Sequence, residues 1–152
     1  MHTCFFIGHQ DAPDSIQKRL NETAEHLVSH CRVTEFIVGH YGNFDRMAVI
    51  AVQRAIQGFP EKEVIAYLLE PYFPGDRQII VPHYFEDIYY PAGMETVPKR
   101  FCIQRANQKA LNSADYLVAY VCREGGNAAK LLRSAKRLER QGNMTVINIA
   151  QK

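Results

Sequence analysis

Apolar residues in this chain follow two alternating spacings. Short continuous runs, TCFFIG at 3–8, Val33 to Gly39, Val64 to Leu69, Tyr116 to Cys122 and Met144 to Ile149, have the length and β-branched or aromatic content of strands buried on both faces. Between them, apolar residues recur every three to four positions. Ile16, Leu20, Ala24, Leu27 and Val28 predict a helix from about Pro13 to His30. Phe44, Met47, Ala48, Ala51, Ala55 and Ile56 predict a second helix over 44–58, closed by Gly58 and Pro60. A third runs from Pro98 to about Asn112. A fourth carries Ala128, Leu131, Leu132, Ala135 and Leu138 and ends at Gly142-Asn143. Strands alternating with helices predict an α/β protein: a Rossmann-like three-layer sandwich around a mainly parallel sheet of about five strands. Right-handed crossovers would bring Gly8-His9, Gly39-His40, Glu70-Pro71 and the turn at Gly125 to one sheet edge, where ligands of open α/β sheets bind.

Residues 70–97 break the rhythm with Pro71, Pro74, Pro82 and Pro91 and six aromatic rings. Only Gln78 to Val81 resembles a strand. The aromatic content argues for an ordered segment. It serves either as a lid or wall that stacks a ring on a ligand, or as cover for a sheet edge or a subunit contact.

Length and composition add limits. With 152 residues, 47% hydrophobic and 22% charged, the chain is expected to form a single domain over 1–152 with an ordinary core. Its net charge of +2 does not point to nucleic acid or an anionic membrane as the main partner. The N-terminal apolar run, Cys4 to Ile7, is too short for a signal-peptide core or a membrane span, and no other segment approaches membrane length. Cys4, Cys31, Cys102 and Cys122 are scattered without a C-x-x-C pair, as expected for reduced, mostly buried thiols in a cytoplasmic protein.

The candidate chemistry lies in the turns. Gly39-His40-Tyr41-Gly42-Asn43 and Arg123-Glu124-Gly125-Gly126-Asn127 each follow an apolar strand and open a helix. Glycine there lets backbone N–H groups approach a ligand, and a helix start adds positive partial charge, so both turns suit phosphate or another anion. Neither is a P-loop or a G-x-G-x-x-G fingerprint. His9, His40 and Asp45 fall short of a supported metal site, and no metal is expected. Arg105 lies in the third helix, either as a solvated cation or as a phosphate ligand at the sheet edge.

Taken together, FFIGHQDAP, FIVGHYGNFDRMA, DIYYPAGMETVPKRFCIQRANQKALNSADYLVAYV, EGGNAAKLLRSAKR and VINIA resemble the SLOG superfamily. This Rossmann-like group includes the Lonely-guy phosphoribohydrolases and the Smf/DprA DNA-processing proteins, and the chain looks closest to a small bacterial branch of it. The resemblance covers nearly the whole chain and implies a pocket for a nucleotide or nucleotide-derived molecule at the strand ends. By this resemblance Gly8, Gly39, Gly42, Gly125 and Gly126 match turn positions that line such pockets, and Arg105 matches the arginine preceding the fourth strand; His9, His40, Asn43, Asp45, Glu70 and Asn127, from the same turns and strand ends, complete the expected ligand-binding set. The resemblance also implies homo-oligomerisation, and no cofactor beyond a nucleotide-like ligand. The group's hydrolases carry P-G-G-x-G-T-x-x-E, whose glutamate serves N-glycosidic cleavage; here Leu132 stands at that position. The expectation is therefore a sensor or carrier. The alternative is an N-glycosidase using Glu124 or Asp45 as acid/base. A third reading, an accessory to DNA processing, has the near-neutral charge against it.

Overall fold

The computed structural model describes residues 1–150. Among these, six strands and four α-helices alternate except where β4 follows β3 directly: β1 (His2–Gly8), α1 (Gln17–His30), β2 (Val33–Val38), α2 (Asn43–Gly58), β3 (Ile65–Leu69), β4 (Asp87–Tyr89), α3 (Cys102–Asn112), β5 (Tyr116–Tyr120), α4 (Gly126–Arg140) and β6 (Thr145–Asn148). All strand pairs are parallel, in the order β4-β3-β2-β1-β5-β6. The α/β sandwich is as the sequence predicts, with one strand more than expected.

The three layers follow from the period of the strands. Cys4 and Phe6 of β1 join Leu20, Leu27, Met47 and Ala51 in the core beneath α1 and α2. Their neighbours Phe5 and Ile7 join Ala106, Leu111, Leu131 and Ala135 beneath α3 and α4. Successive side chains point to opposite sheet faces, so a continuous apolar run supplies both cores at once.

The chain departs from its apolar pattern at three places. Residues 78–81 form no strand; Ile80 is 91% exposed, and the sixth strand is β4, further along the same segment. The first helical turns at Asp14–Ile16 and Lys99–Phe101 are 3-10, and α1 and α3 begin after them. Cys122 is exposed rather than buried.

Residues 70–97 cover the β3 edge. Glu86 N–H donates to Ala66 O at 2.8 Å, Glu70 N–H donates to Tyr89 O at 2.9 Å, and Phe85 and Met94 are buried. The side chain of Glu70 anchors this segment from within. One carboxylate oxygen lies 3.2 Å from His40 Nε2. The other accepts Tyr72 N–H at 3.1 Å and sits 3.6 Å from the Arg77 guanidinium, which also donates to Tyr72 O and Phe73 O.

Gly58, the last residue of α2, meets no heavy atom within 4 Å of where a Cβ would stand, and its φ is not positive. Gly58→Ala is accordingly expected to raise stability by about 0.4–1 kcal/mol through the unfolded chain's lost freedom. Urea titration checks it, and a destabilised variant would contradict the open surroundings.

Candidate active or binding cleft at the sheet's carboxyl edge

Chain order reverses between β1 and β5. From β1 the sheet grows one way through β2, β3 and β4, and the other way through β5 and β6. Connections leaving such a switch point diverge and leave a crevice at the strands' carboxyl ends. Here the two central strands are stapled at that end. His9 N–H donates to Tyr120 O at 3.2 Å, and Cys122 N–H donates to His9 Nε2 at 3.1 Å. A ring nitrogen that accepts from a backbone N–H is unprotonated, so His9 sits here as a neutral imidazole. Burial first, and then the charge of Arg123, lowers its pKa in the same sense.

Above this staple lies a cleft of about 660 Å³, lined from all the surrounding turns. Glycine is needed where α2 presses on the strand ends. A Cβ at Gly8 would overlap the ring of buried Phe44, and one at Gly39 would stand 2.6 Å from Asp45 Oδ2. On the far side, Gly125, Gly126, Asn127 and Ala128 open α4 directly onto the cleft, and no side chain caps that helix. First-turn N–H groups have no partner within their own helix, so they are free for an anion. Tyr41, Leu69, Pro71 and Ile103 supply the less polar walls.

Two carboxyl groups differ sharply in their setting. Asp11, from the loop after β1, accepts a 2.8 Å hydrogen bond from Arg123, from the loop after β5, and both side chains are largely solvated. That bond holds the Asp11 carboxyl below its usual range and Arg123 above its own. Asp45, in the first turn of α2, is buried at the cleft floor. Its Oδ2 accepts Tyr41 N–H at 3.0 Å. Burial pushes its pKa up to about 7, against the opposing pull of that N–H.

Of the residues singled out from the sequence, Gly8, His9, Gly39, Asp45, Glu124, Gly125, Gly126 and Asn127 line the cleft. His40, Gly42, Asn43, Glu70 and Arg105 do not. His40 and Glu70 are engaged with one another, and Glu70 is 1% exposed. Asn43 ties the β1–α1 loop to α2: its N–H donates to Gln10 O at 2.7 Å, and its side chain donates to Ala12 O and Asp14. Gly42 is packed against Gln10. Arg105 is exposed in an adjoining groove between α3 and α4. Glu124 is at the rim, with its side chain 97% exposed and 3.6 Å from Arg133. Leu132 packs against the core under α4.

Gln10, Asp11, Tyr41, Asn107 and Arg123 also line the cleft and were not singled out beforehand. Arg123 and Tyr41 do stand inside the two glycine turns, which is the signal that could have found them. Among the described residues, no three His, Cys, Asp or Glu side chains come together as ligands for a metal ion, and no helix is long and apolar enough to cross a membrane. Protein-family models give no match to this chain, and neither do the curated proteins.

Proposed function

We propose that this protein binds a nucleotide or nucleotide-derived small molecule in the cleft at the β1–β5 switch point, as a sensor or carrier. The observation that carries the reading is the convergence of the uncapped α4 start, Arg123 and the glycine ends of β1 and β2 on one cavity. Such a wall suits a phosphate, because backbone donors and a guanidinium both favour an anion. The less polar part of the lining, Tyr41, Leu69, Pro71 and Ile103, suits a base or sugar. The resemblance of the chain to nucleotide-binding SLOG proteins supports the same ligand class. The solvated position of Glu124 and the packing of Leu132 against the core favour binding over N-glycosidic cleavage.

Arg123 is expected to grip the phosphate and Asp11 to compete with it. Arg123→Ala should weaken nucleoside monophosphate binding by about 10- to 100-fold, the range for a lost charge-assisted hydrogen bond. Asp11→Asn should instead tighten it several-fold, since the guanidinium is released and a repelling carboxylate removed. Calorimetry measures both, and chromatography of the same samples should show the nucleotide intact. Steady release of free base, abolished by Asp45→Asn, would establish the hydrolase instead. No binding of any nucleotide would remove the proposal altogether.

A further inference from the structure

The cleft does not end at α4. A groove of about 190 Å³ runs between α3 and α4 and shares Asn107 and Asn127 with the cleft as common walls. Gln104 Nε2 donates to Asn127 Oδ1 at 2.8 Å, bridging the two helices. No Asp or Glu lines the groove, whereas Arg105 and Lys130 both do. Neither cation forms an ion pair among the described residues, although Arg46, Arg77, Arg123 and Arg133 each lie within ion-pair distance of a carboxylate.

The flanking sequence reinforces the asymmetry. Residues 99–112 carry four cations and no acid, and α4 carries five cations and a single acid, in a chain whose net charge is only +2. Two like charges facing one groove without a counterion raise each other's energy, and an anion there relieves both. The side-chain amides of Asn107, Asn127 and Gln104 add neutral donors around the same space.

Resting on the nucleotide reading of the cleft, we infer that this groove is a second anion subsite, and that the protein selects a nucleotide bearing two separated phosphate groups. One phosphate would meet Arg123 and the α4 start, and the other Arg105 and Lys130. Arg105 is then a specificity residue for the second phosphate and makes no contribution to holding the first.

The test compares matched ligands by calorimetry. Each common nucleoside 5′-monophosphate is titrated beside its 3′,5′-bisphosphate and the 5′-phosphorylated dinucleotide (pNpN) of the same base, which both carry their two phosphates apart. At least one two-phosphate ligand should bind ten-fold or more tightly than its monophosphate. Arg105→Ala and Lys130→Ala should each weaken that ligand about ten-fold, leave the monophosphate within two-fold of wild type, and flatten the salt dependence of the tighter ligand. Both side chains are exposed, so neither variant threatens the fold. Equal loss for both ligand types would place Arg105 in the first site and overturn the inference. So would monophosphates binding as well as every two-phosphate ligand. If monophosphates and two-phosphate ligands alike fail to bind, the nucleotide reading itself falls, and that result is distinct from the other two.

Discussion

Gly42→Ala is expected to destabilise the protein by about 2–5 kcal/mol, and the matching change Gly125→Ala by about 1–3 kcal/mol. Both glycines immediately precede a helix, with nearly the same backbone: φ 109°, ψ 174° at Gly42 and φ 87°, ψ 159° at Gly125. That region is strained for any residue with a Cβ, so both variants carry the same backbone penalty. Their surroundings differ. A Cβ at Gly42 would stand 2.7 Å from Gln10 Cα, which is backbone and cannot swing aside, whereas one at Gly125 meets nothing within 4 Å. The difference between the two variants therefore isolates the close approach of the β1–α1 loop to the start of α2. Against a typical total stability of about 5–15 kcal/mol, both effects are well within reach of denaturant titration. Equal losses at the two positions would mean that the Gln10 loop yields freely. Gly42 would then be a conformational requirement of the turn and no steric joint.

What made the architecture legible was local. TCFFIG and the run ending in FIVG are too apolar for half-exposed strands, and their terminal glycines mark where a βα turn must begin. Helix faces were equally plain, because Leu20, Ala24 and Leu27 can reach one core only with helical spacing. The β4 strand was not legible. Three residues show no period, and the better-looking run QIIV forms no strand: Ile79 and Val81 pack against the core, Ile80 is exposed, and the strand pairing is made further on.

The site was half legible for the same reason. Glycine positions follow from strand ends, but side-chain partners depend on loop paths. The Asp11–Arg123 bond joins residues 112 apart in sequence, and nothing in either segment announces the other. Glu70 lies at the expected strand end. Its backbone pairs toward β4, while its side chain turns inward to His40 and Arg77 and not to the cleft. Arg105 shows the limit of helical reasoning: one turn after Phe101, it belongs to the groove between α3 and α4.

Asp45→Asn is expected to raise stability at pH 8 by a few kcal/mol and to leave it nearly unchanged at pH 4. The carboxyl has a pKa of about 7 in the folded protein against 3.8 for an ordinary aspartate. Between those values the folded state keeps a proton that the unfolded chain releases, so stability falls as pH rises through this window. The fall levels off above about pH 7. At about 1.4 kcal/mol per unit over roughly three units, the limiting cost is on the order of 4 kcal/mol. Asparagine has the same shape, stays neutral, and can keep accepting Tyr41 N–H through its amide oxygen, so it escapes the penalty. Thermal unfolding of both proteins from pH 4 to pH 8 should give curves that meet at the acid end and diverge steadily toward pH 7. Parallel curves would show that Asp45 titrates like a solvated acid. A carboxyl that costs stability at neutral pH, set beside the turn glycine after β2 and lining the cleft, is placed to act on a bound ligand. Protonated, it can donate to a base nitrogen or sugar oxygen; ionised, it can only accept. The ratio of wild-type to Asp45→Asn affinity should therefore change across the same pH window, since the ligand phosphate's own ionisation at about pH 6 is common to both proteins. A ratio flat from pH 5 to pH 8 would leave Asp45 out of ligand recognition, even where its effect on stability holds.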